Sequence, residues 1–146
     1  MDFIIGVIVS IVAVVIHYEA FNLLTLFIEK RERLRRHHML VVMMGIIIAH
    51  LLEAAVFGAM FWVRKEMMDL DVFNVKNNLS LLDYYNFSLE NYTSLGYGDL
   101  YIEGSRGRFL SAFESLIGLI LISWSASFMF LIMSKDWEKR LVKKES

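Results

Sequence analysis

The 146-residue chain contains no cysteine and no proline. The first absence excludes disulfides and thiolate metal sites. The second leaves no residue that removes a backbone donor from a helix interior and kinks it, so long unbroken helices are open to this sequence. There is no large excess of either charge, the net value being −1, and charge therefore gives no case for nucleic-acid binding. Met1-Asp2-Phe3 carries no basic run and no small-residue cleavage site follows, so no signal peptide is expected. What the chain has in abundance is apolar residues, at 57%, more than the share typical of soluble domains.

These residues are concentrated in three stretches, about Phe3 to Ile28, Met39 to Val63 and Phe109 to Met133. Each exceeds the roughly 20 residues that cross a bilayer. Each is apolar on all faces, unlike a surface helix of a soluble protein. A polar segment, Arg64 to Arg108, separates the second from the third. Five Lys or Arg fall between Glu29 and His38, and five more follow from Lys135: Lys135, Lys139, Arg140, Lys143 and Lys144. Basic residues collect on the cytoplasmic side. The expected topology has the N-terminus outside, both basic segments and the C-terminus inside, and Arg64–Arg108 outside. That outer segment has seven acidic and five basic residues, a balance that attracts cations. The basic loop reads first as a topology signal and solvated face that touches anionic lipid. The expected organisation is an N-terminal helix and basic loop (1–38), a central module (39–134) and a short basic tail (135–146).

The segment Asn91-Tyr92-Thr93-Ser94-Leu95-Gly96-Tyr97-Gly98-Asp99 is the most distinctive of the chain. Glycine reaches positive φ at little steric cost, so Gly96 and Gly98 let the backbone turn its carbonyls to one side. Alone, such a tetrapeptide also suits an ordinary exposed turn. In a membrane chain it resembles the selectivity filter of potassium channels, roughly T-x-x-T-x-G-Y-G-D. Gly96 to Asp99 match directly; Leu95 stands for the usual Val, Ser94 for the second Thr and Asn91 for the first. The resemblance implies an all-α membrane protein with three transmembrane helices, a re-entrant pore helix and a filter loop, assembled as a homotetramer. It implies potassium ions held by the carbonyls of Ser94, Leu95, Gly96, Tyr97 and Gly98, with the Ser94 hydroxyl at the inner mouth, and no other cofactor. The pore helix is expected over Ser80 to Thr93, with Ser80 as N-cap, Asp83 near the positive end of its dipole, and Leu81, Leu82, Tyr85, Leu89 and Tyr92 at three- and four-residue spacing.

The likeness extends further, covering Leu81 to Met133. Glu90 and Asp99 stand where the family pairs two carboxyls behind the filter, and Thr93 agrees with many members. Glu90 read alone is also a solvated outer-face residue. Phe87 occupies an aromatic-cuff position, whereas Asn86 departs from it. Leu100-Tyr101 and Gly107-Arg108 match, and Ile102 replaces the usual Pro. Gly118 falls at the spacing of a gating hinge, although close packing of small residues is an equal reason for a glycine there. Glu114 is expected behind the pore helix as a bracing acceptor. Ser123, Ser125 and Ser127 either line a wet cavity or bond to their own helix. Phe128, Phe130 and Met133 form an apolar constriction or face lipid.

His17, Glu19, His50, Glu53 and Glu114 fall inside predicted spans. Ionisable groups there are costly and usually pair in the protein interior. The plain expectation is a polar clasp of His17, Glu19, His50 and Glu53 joining the first helix to the second. A proton-titrated gate or a metal site is the sharper one. His50-x-x-Glu53 lacks the second His of a zincin. No Arg recurs every third residue within a span, so no voltage sensor is expected, nor is a cytoplasmic regulatory domain. Asn78-Leu79-Ser80, Asn86-Phe87-Ser88 and Asn91-Tyr92-Thr93 match glycosylation triplets by chance. The functional expectation is a passive potassium-selective channel without catalysis, whose partners are its own copies, membrane lipid and monovalent cations. The alternatives are a weakly selective monovalent cation channel, a non-conducting subunit with the pore fold, and a cation-transporter subunit. The last usually carries several filter-like loops in one chain, against one here.

Overall fold

A computed structural model describes residues 2–30, 36–68, 73–74 and 79–145, the last with side chains through Trp137. The described residues form α1 (Asp2–Glu29), α2 (Arg36–Trp62), which runs on into one π-helical turn (Val63–Met67), α3 (Leu81–Tyr92) and α4 (Ser105–Glu145). No strand occurs among them; Phe73 and Ile102 form an isolated antiparallel bridge. The basic residues Arg31, Arg33 and Arg35, and Asn78 of the first glycosylation triplet, lie outside the described residues, as do the side chains of Arg36, Lys139, Arg140, Lys143 and Lys144.

Three helices are long and apolar enough to cross a membrane: Asp2–Glu29, His37–Met67 and Ser105–Trp137. Their outward faces carry Ile4, Ile8, Ile11, Leu23, Met44, Ile48, Leu116 and Leu119, all exposed. A soluble chain could not leave so much contiguous apolar surface in water, and the protein is an integral membrane protein. The third helix does not stop where its hydropathy falls at Met133. It continues through the basic tail to Glu145, because Glu, Lys, Arg and Leu are good helix formers whatever the solvent.

The buried stripe of α1 is Gly6, Ser10, Ala13, His17 and Phe21, three to four residues apart as one helix face requires. Its small members bring backbones close, the usual device of membrane helix packing. A Cβ on Gly6 would lie 3.1 Å from Leu110 Cδ2. On α2 the matching stripe is Val42, Ile46, Ala49, Glu53, Phe57 and Met60. Two apolar clusters result. One gathers Phe57, Phe61, Tyr84, Phe87, Tyr92, Leu110 and Leu121; the other gathers Phe21, Val42, Ile46 and Ile132. Along α1, α2 and α4 the polar residues His17, Glu53 and Ser125 fall between them.

The ends of the helices around Asp2 and Arg64 are fixed by polar contacts. Arg64, in the π turn, is buried and donates to Asp2 Oδ1 at 2.9 Å. The Tyr84 hydroxyl donates to Glu66 Oε1 at 2.6 Å. Phe73 sits edge-on to both Tyr84 and Phe87, with ring centroids 5.6 and 5.2 Å away, and so ties its segment to α3.

Gly118 of α4 packs directly on the end of α3: a Cβ there would lie 2.0 Å from the carbonyl oxygen of Tyr92. No rotamer relieves a clash with backbone. Gly118→Ala should therefore lower the thermal midpoint of the protein in lipid discs, by the equivalent of about 1–3 kcal/mol of overpacking, despite alanine's better helix propensity. Gly104→Ala, where a Cβ meets nothing within 4 Å, is the control and should change the midpoint little. Equal melting of the two variants would mean that α3 and α4 do not meet this closely.

Candidate functional site

The short helix expected over Ser80 to Thr93 is present as α3, capped at both ends. At its start a capping box closes: the Asp83 amide donates to Ser80 Oγ at 3.3 Å and the Ser80 amide to Asp83 Oδ2 at 2.7 Å. The hydrogen bonds from Ser80 hold the Asp83 carboxyl below its ordinary range. The buried face is Tyr84, Phe87, Ser88 and Tyr92. This corrects the expected apolar stripe, of which only Tyr92 is buried. Leu81 and Leu82 are 67% and 63% exposed. The reason is that α2 and α4 meet the neighbouring side of the helix, where Ser88 Oγ lies 2.6 Å from Ala54 O and 2.5 Å from Glu114 Oε1, while Tyr85 and Leu89 pack half-buried at its edge. Glu114 thus stands fully buried against α3, its second oxygen without a partner among the described residues.

After Tyr92 the chain turns back. Thr93 is the C-cap, its Oγ1 bonded to Leu89 O at 2.7 Å. The amides of Leu95 and Gly96 return to the Glu90 carbonyl at 2.9 and 3.3 Å. Positive φ occurs at Ser94 (57°), Gly96 (50°) and Gly98 (80°), and at no other described residue. The sign of φ therefore alternates from Ser94 through Gly98. Gly96 and Gly98 adopt this freely. Ser94 does not, and a left-handed serine costs on the order of 1–2 kcal/mol, a strain that composition alone gave no sign of. Residues Thr93 to Asp99 are all exposed, Tyr97 by 74%.

Two residues hold this loop. Glu90 Oε2 accepts the Tyr97 amide at 3.1 Å. The expected Glu90–Asp99 pairing is absent within the chain: the Glu90 carboxylate is taken by that backbone donor, and Asp99 Oδ1 folds back onto the Leu100 amide at 2.9 Å. Both still line an open cleft of about 940 Å³ between α3 and the loop, together with Asp83, Asn86, Thr93 and Tyr97. The second holder is Asn74. Its Nδ2 donates to Asp99 O at 2.9 Å, its Oδ1 accepts the Tyr101 amide at 2.8 Å, and its own amide donates to Tyr101 O at 3.0 Å. A single Asn in a polar segment carries no sequence signal for such a role.

Two of the intramembrane ionisable groups, His17 and His50, converge on the carboxylate of a third, Glu53. His17 Nδ1 lies 2.8 Å from Glu53 Oε1 and His50 Nδ1 lies 3.1 Å from Glu53 Oε2. The Tyr92 hydroxyl also donates to Glu53 Oε2, and His50 Nδ1 is 2.8 Å from that hydroxyl. On the far side of the rings, Ser125 Oγ lies 2.9 Å from His50 Nε2 and 3.5 Å from His17 Nε2. His17 and Glu53 are fully buried. The expected clasp thus contains His17, His50 and Glu53, but not Glu19, which points outward from α1 and is exposed. Two residues past His17 on a helix, Glu19 falls on another face. Tyr92 and Ser125 join in its place, so the cluster spans α1 to α4.

Along α4, Ser123 and Ser127 bond back to the carbonyls of Leu119 and Ser123 at 2.7 and 3.0 Å. Phe128 stacks on Phe21 with ring centroids 4.2 Å apart and is occupied in helix packing, whereas Phe130 is exposed. Gly118, the hinge candidate, has the close approach to Tyr92 as a sufficient reason for its glycine.

Glu90 can be tested without any transport assay. Replacing it by Ala removes the acceptor of the Tyr97 amide. Hydrogen exchange at that amide should accelerate about tenfold, the equivalent of one ordinary hydrogen bond. The Tyr101 amide, held by Asn74, should respond instead to Asn74→Ala. Unchanged exchange at Tyr97 in Glu90→Ala would remove Glu90 from the loop's support.

A family model described as an ion channel matches residues 39–135, from the start of α2 to the last apolar turns of α4. No curated protein and no solved structure matches the chain. The matched segment contains the short capped helix, the glycine loop and the two helices that enclose them, with α1 lying outside it. The chain belongs to the pore-domain ion channel family.

Proposed function

We propose that the chain is one of four identical subunits of a potassium-selective pore, with Ser94 to Gly98 as its filter and α3 as a re-entrant pore helix. The observation that carries this is the alternating φ sign across Ser94–Gly98. A strand of uniform φ turns successive carbonyls to opposite sides. Alternation returns them to the same side, so four such strands around an axis make stacked oxygen rings that replace a cation's water shell. The C-terminal end of α3, whose dipole is negative, lies immediately before the first of these residues. The permeant ion is the cargo of this arrangement, and the loop's hydrogen bonds through Glu90 and Asn74 hold it before the ion arrives.

Assembly follows from what the single chain leaves open. Leu81, Leu82, Leu95 and Tyr97 are apolar or aromatic and exposed. Irregular backbone at membrane depth survives only where protein or water surrounds it, which neighbouring copies supply. The basic segments support a topology with the C-terminus in the cytoplasm and the N-terminus and loop outside. Ser94, Leu95 and Asn91 are the positions that favour the second reading, a weakly selective monovalent cation pore.

Purified protein in planar bilayers should give a reversal potential that follows the potassium gradient rather than sodium, and its native mass in detergent should be four times that of the chain. Equal permeability to both ions would leave the weakly selective pore. A stable monomer or dimer as the sole species would remove the filter reading, and a tetramer without current in several lipids would leave the non-conducting subunit.

A further inference from the structure

The buried cluster is one proton short of a complete hydrogen-bond network. Both histidines turn Nδ1 toward the acceptors Glu53 and Tyr92, so each neutral ring carries its proton there. Both Nε2 atoms are then bare acceptors, and both face the same hydroxyl, Ser125 Oγ, at 2.9 and 3.5 Å. A hydroxyl has one proton and serves one of them. The other is a buried acceptor without a donor, and such a group is costly in a low-dielectric interior. One proton from water, added to either Nε2, completes the chain N–H···O–H···N. It also takes the cluster from a net charge of −1 to zero while every hydrogen bond to Glu53 is kept.

We propose that His17, His50, Glu53, Tyr92 and Ser125 form a proton-binding site inside the membrane, which takes up one proton shared by the two histidines across Ser125 and passes the change to the glycine loop through Tyr92. The access point is His50, whose side chain is 18% exposed where those of His17 and Glu53 are closed off. The groups facing the cluster are few. Helix α1 contributes His17, with Glu19 turned away. Helix α2 contributes His50 and Glu53, and α3 contributes Tyr92. Helix α4 contributes Ser125 and the Trp124 ring, 5.2 Å from His17; its Glu114 is bonded instead to Ser88 of α3. None of the cluster's hydrogen bonds involves a Lys or Arg.

The output is built into Tyr92. Its hydroxyl shares Glu53 with the histidines, its carbonyl is the atom against which Gly118 packs, and it is followed directly by Thr93 and Ser94. A positively charged ring draws more strongly on Glu53 than a neutral one does, and Tyr92 is the competitor for the same oxygen. This consequence for conduction rests on the pore reading above; the proton site itself does not.

The test is nitrogen NMR of the imidazoles in protein labelled at histidine and held in lipid discs, between pH 8.5 and 4.5. Signals are assigned with His17→Gln and His50→Gln, and His37 and His38 serve as internal references. His17 and His50 should change together, over a single step of one proton per chain. Ser125→Ala, which keeps both rings, should move that step down by about one pH unit, the loss of one hydrogen bond to a charged ring. Two separate steps, no step, or an unmoved midpoint in Ser125→Ala would overturn the site. Potassium flux into vesicles should depend on pH between about 5 and 8, where histidine titrates, and lose that dependence in His50→Gln. Flux indifferent to pH alongside the joint titration would overturn the coupling through Tyr92. Absence of flux at every pH would fall on the pore reading, and the NMR result would still decide the site.

Discussion

A fully buried carboxylate in the middle of a membrane-spanning helix has to be matched from inside the protein, and the arrangement of the four helices depends on how Glu53 is matched. Removing one partner of a buried charged pair typically costs about 3–5 kcal/mol, because the remaining charge is left unpaired. Glu53 spreads that need over His17, His50 and Tyr92, and through the rings over Ser125. Each partner comes from a different turn of a different helix or from the next turn of its own. Neither α1 nor α3 can rotate or slide against α2 without breaking a contact to this carboxylate, and α4 is tied to it at second hand, through Ser125 and the two rings. The apolar clusters above and below supply close packing, but packing alone admits many rotations of a helix that is apolar all round. The polar layer selects one.

The glycine loop obeys the complementary constraint. Its backbone is irregular, so its polar groups cannot be satisfied by a helix or a ladder. Within the chain they are met from one side by the Glu90 side chain and carbonyl, and at the exit by Asn74. The other side stays open, with Tyr97 and Leu95 turned outward. The strained φ of Ser94 fits this division. It begins the alternation where the helix has just ended, at the residue whose amide still bonds to the Asn91 carbonyl at 2.9 Å. Tyr92 stands at the junction of the two systems, with its hydroxyl in the polar layer and its carbonyl against Gly118.

Much of this was legible in the sequence because two strong signals do not depend on tertiary contact. Apolar length marked the spans to within a few residues, Phe3–Ile28 against α1 at Asp2–Glu29, and the Ser80/Asp83 cap with the GYGD stretch marked the short helix and its loop. The continuation of α4 to Glu145 was missed because hydropathy reports the solvent of a helix and not its length. The leucine face of α3 was misplaced because periodicity shows that a stripe exists, not which neighbour covers it. Glu19 was grouped with His17 on depth alone, although two residues on a helix turn it to another face. Tyr92 and Ser125 escaped because one hydroxyl in an aromatic or apolar run is ordinary; only the meeting of four helices gives them a partner. Asn74 lies in a segment without periodicity, and the Arg64–Asp2 contact joins two helix ends 62 residues apart, which spacing within either helix does not report.

The role of α1, which lies outside the matched family segment, follows from where its polar residues sit. Asp2 meets Arg64 at the first residue of the helix, and His17 meets Glu53 near the middle. At a rise of 1.5 Å per residue those two points are about 22 Å apart along one helix. Two fixed points at that separation determine both register and rotation. A shift of α1 by a single turn, about 5.4 Å, would break both contacts at once, taking Asp2 from the buried Arg64 and His17 from the buried Glu53. One point alone would have allowed the helix to pivot. The extra helix is therefore not a passive lipid-facing addition to the channel module. It supplies one of the three side-chain partners of Glu53, the carboxylate that also takes the Tyr92 hydroxyl just ahead of the loop.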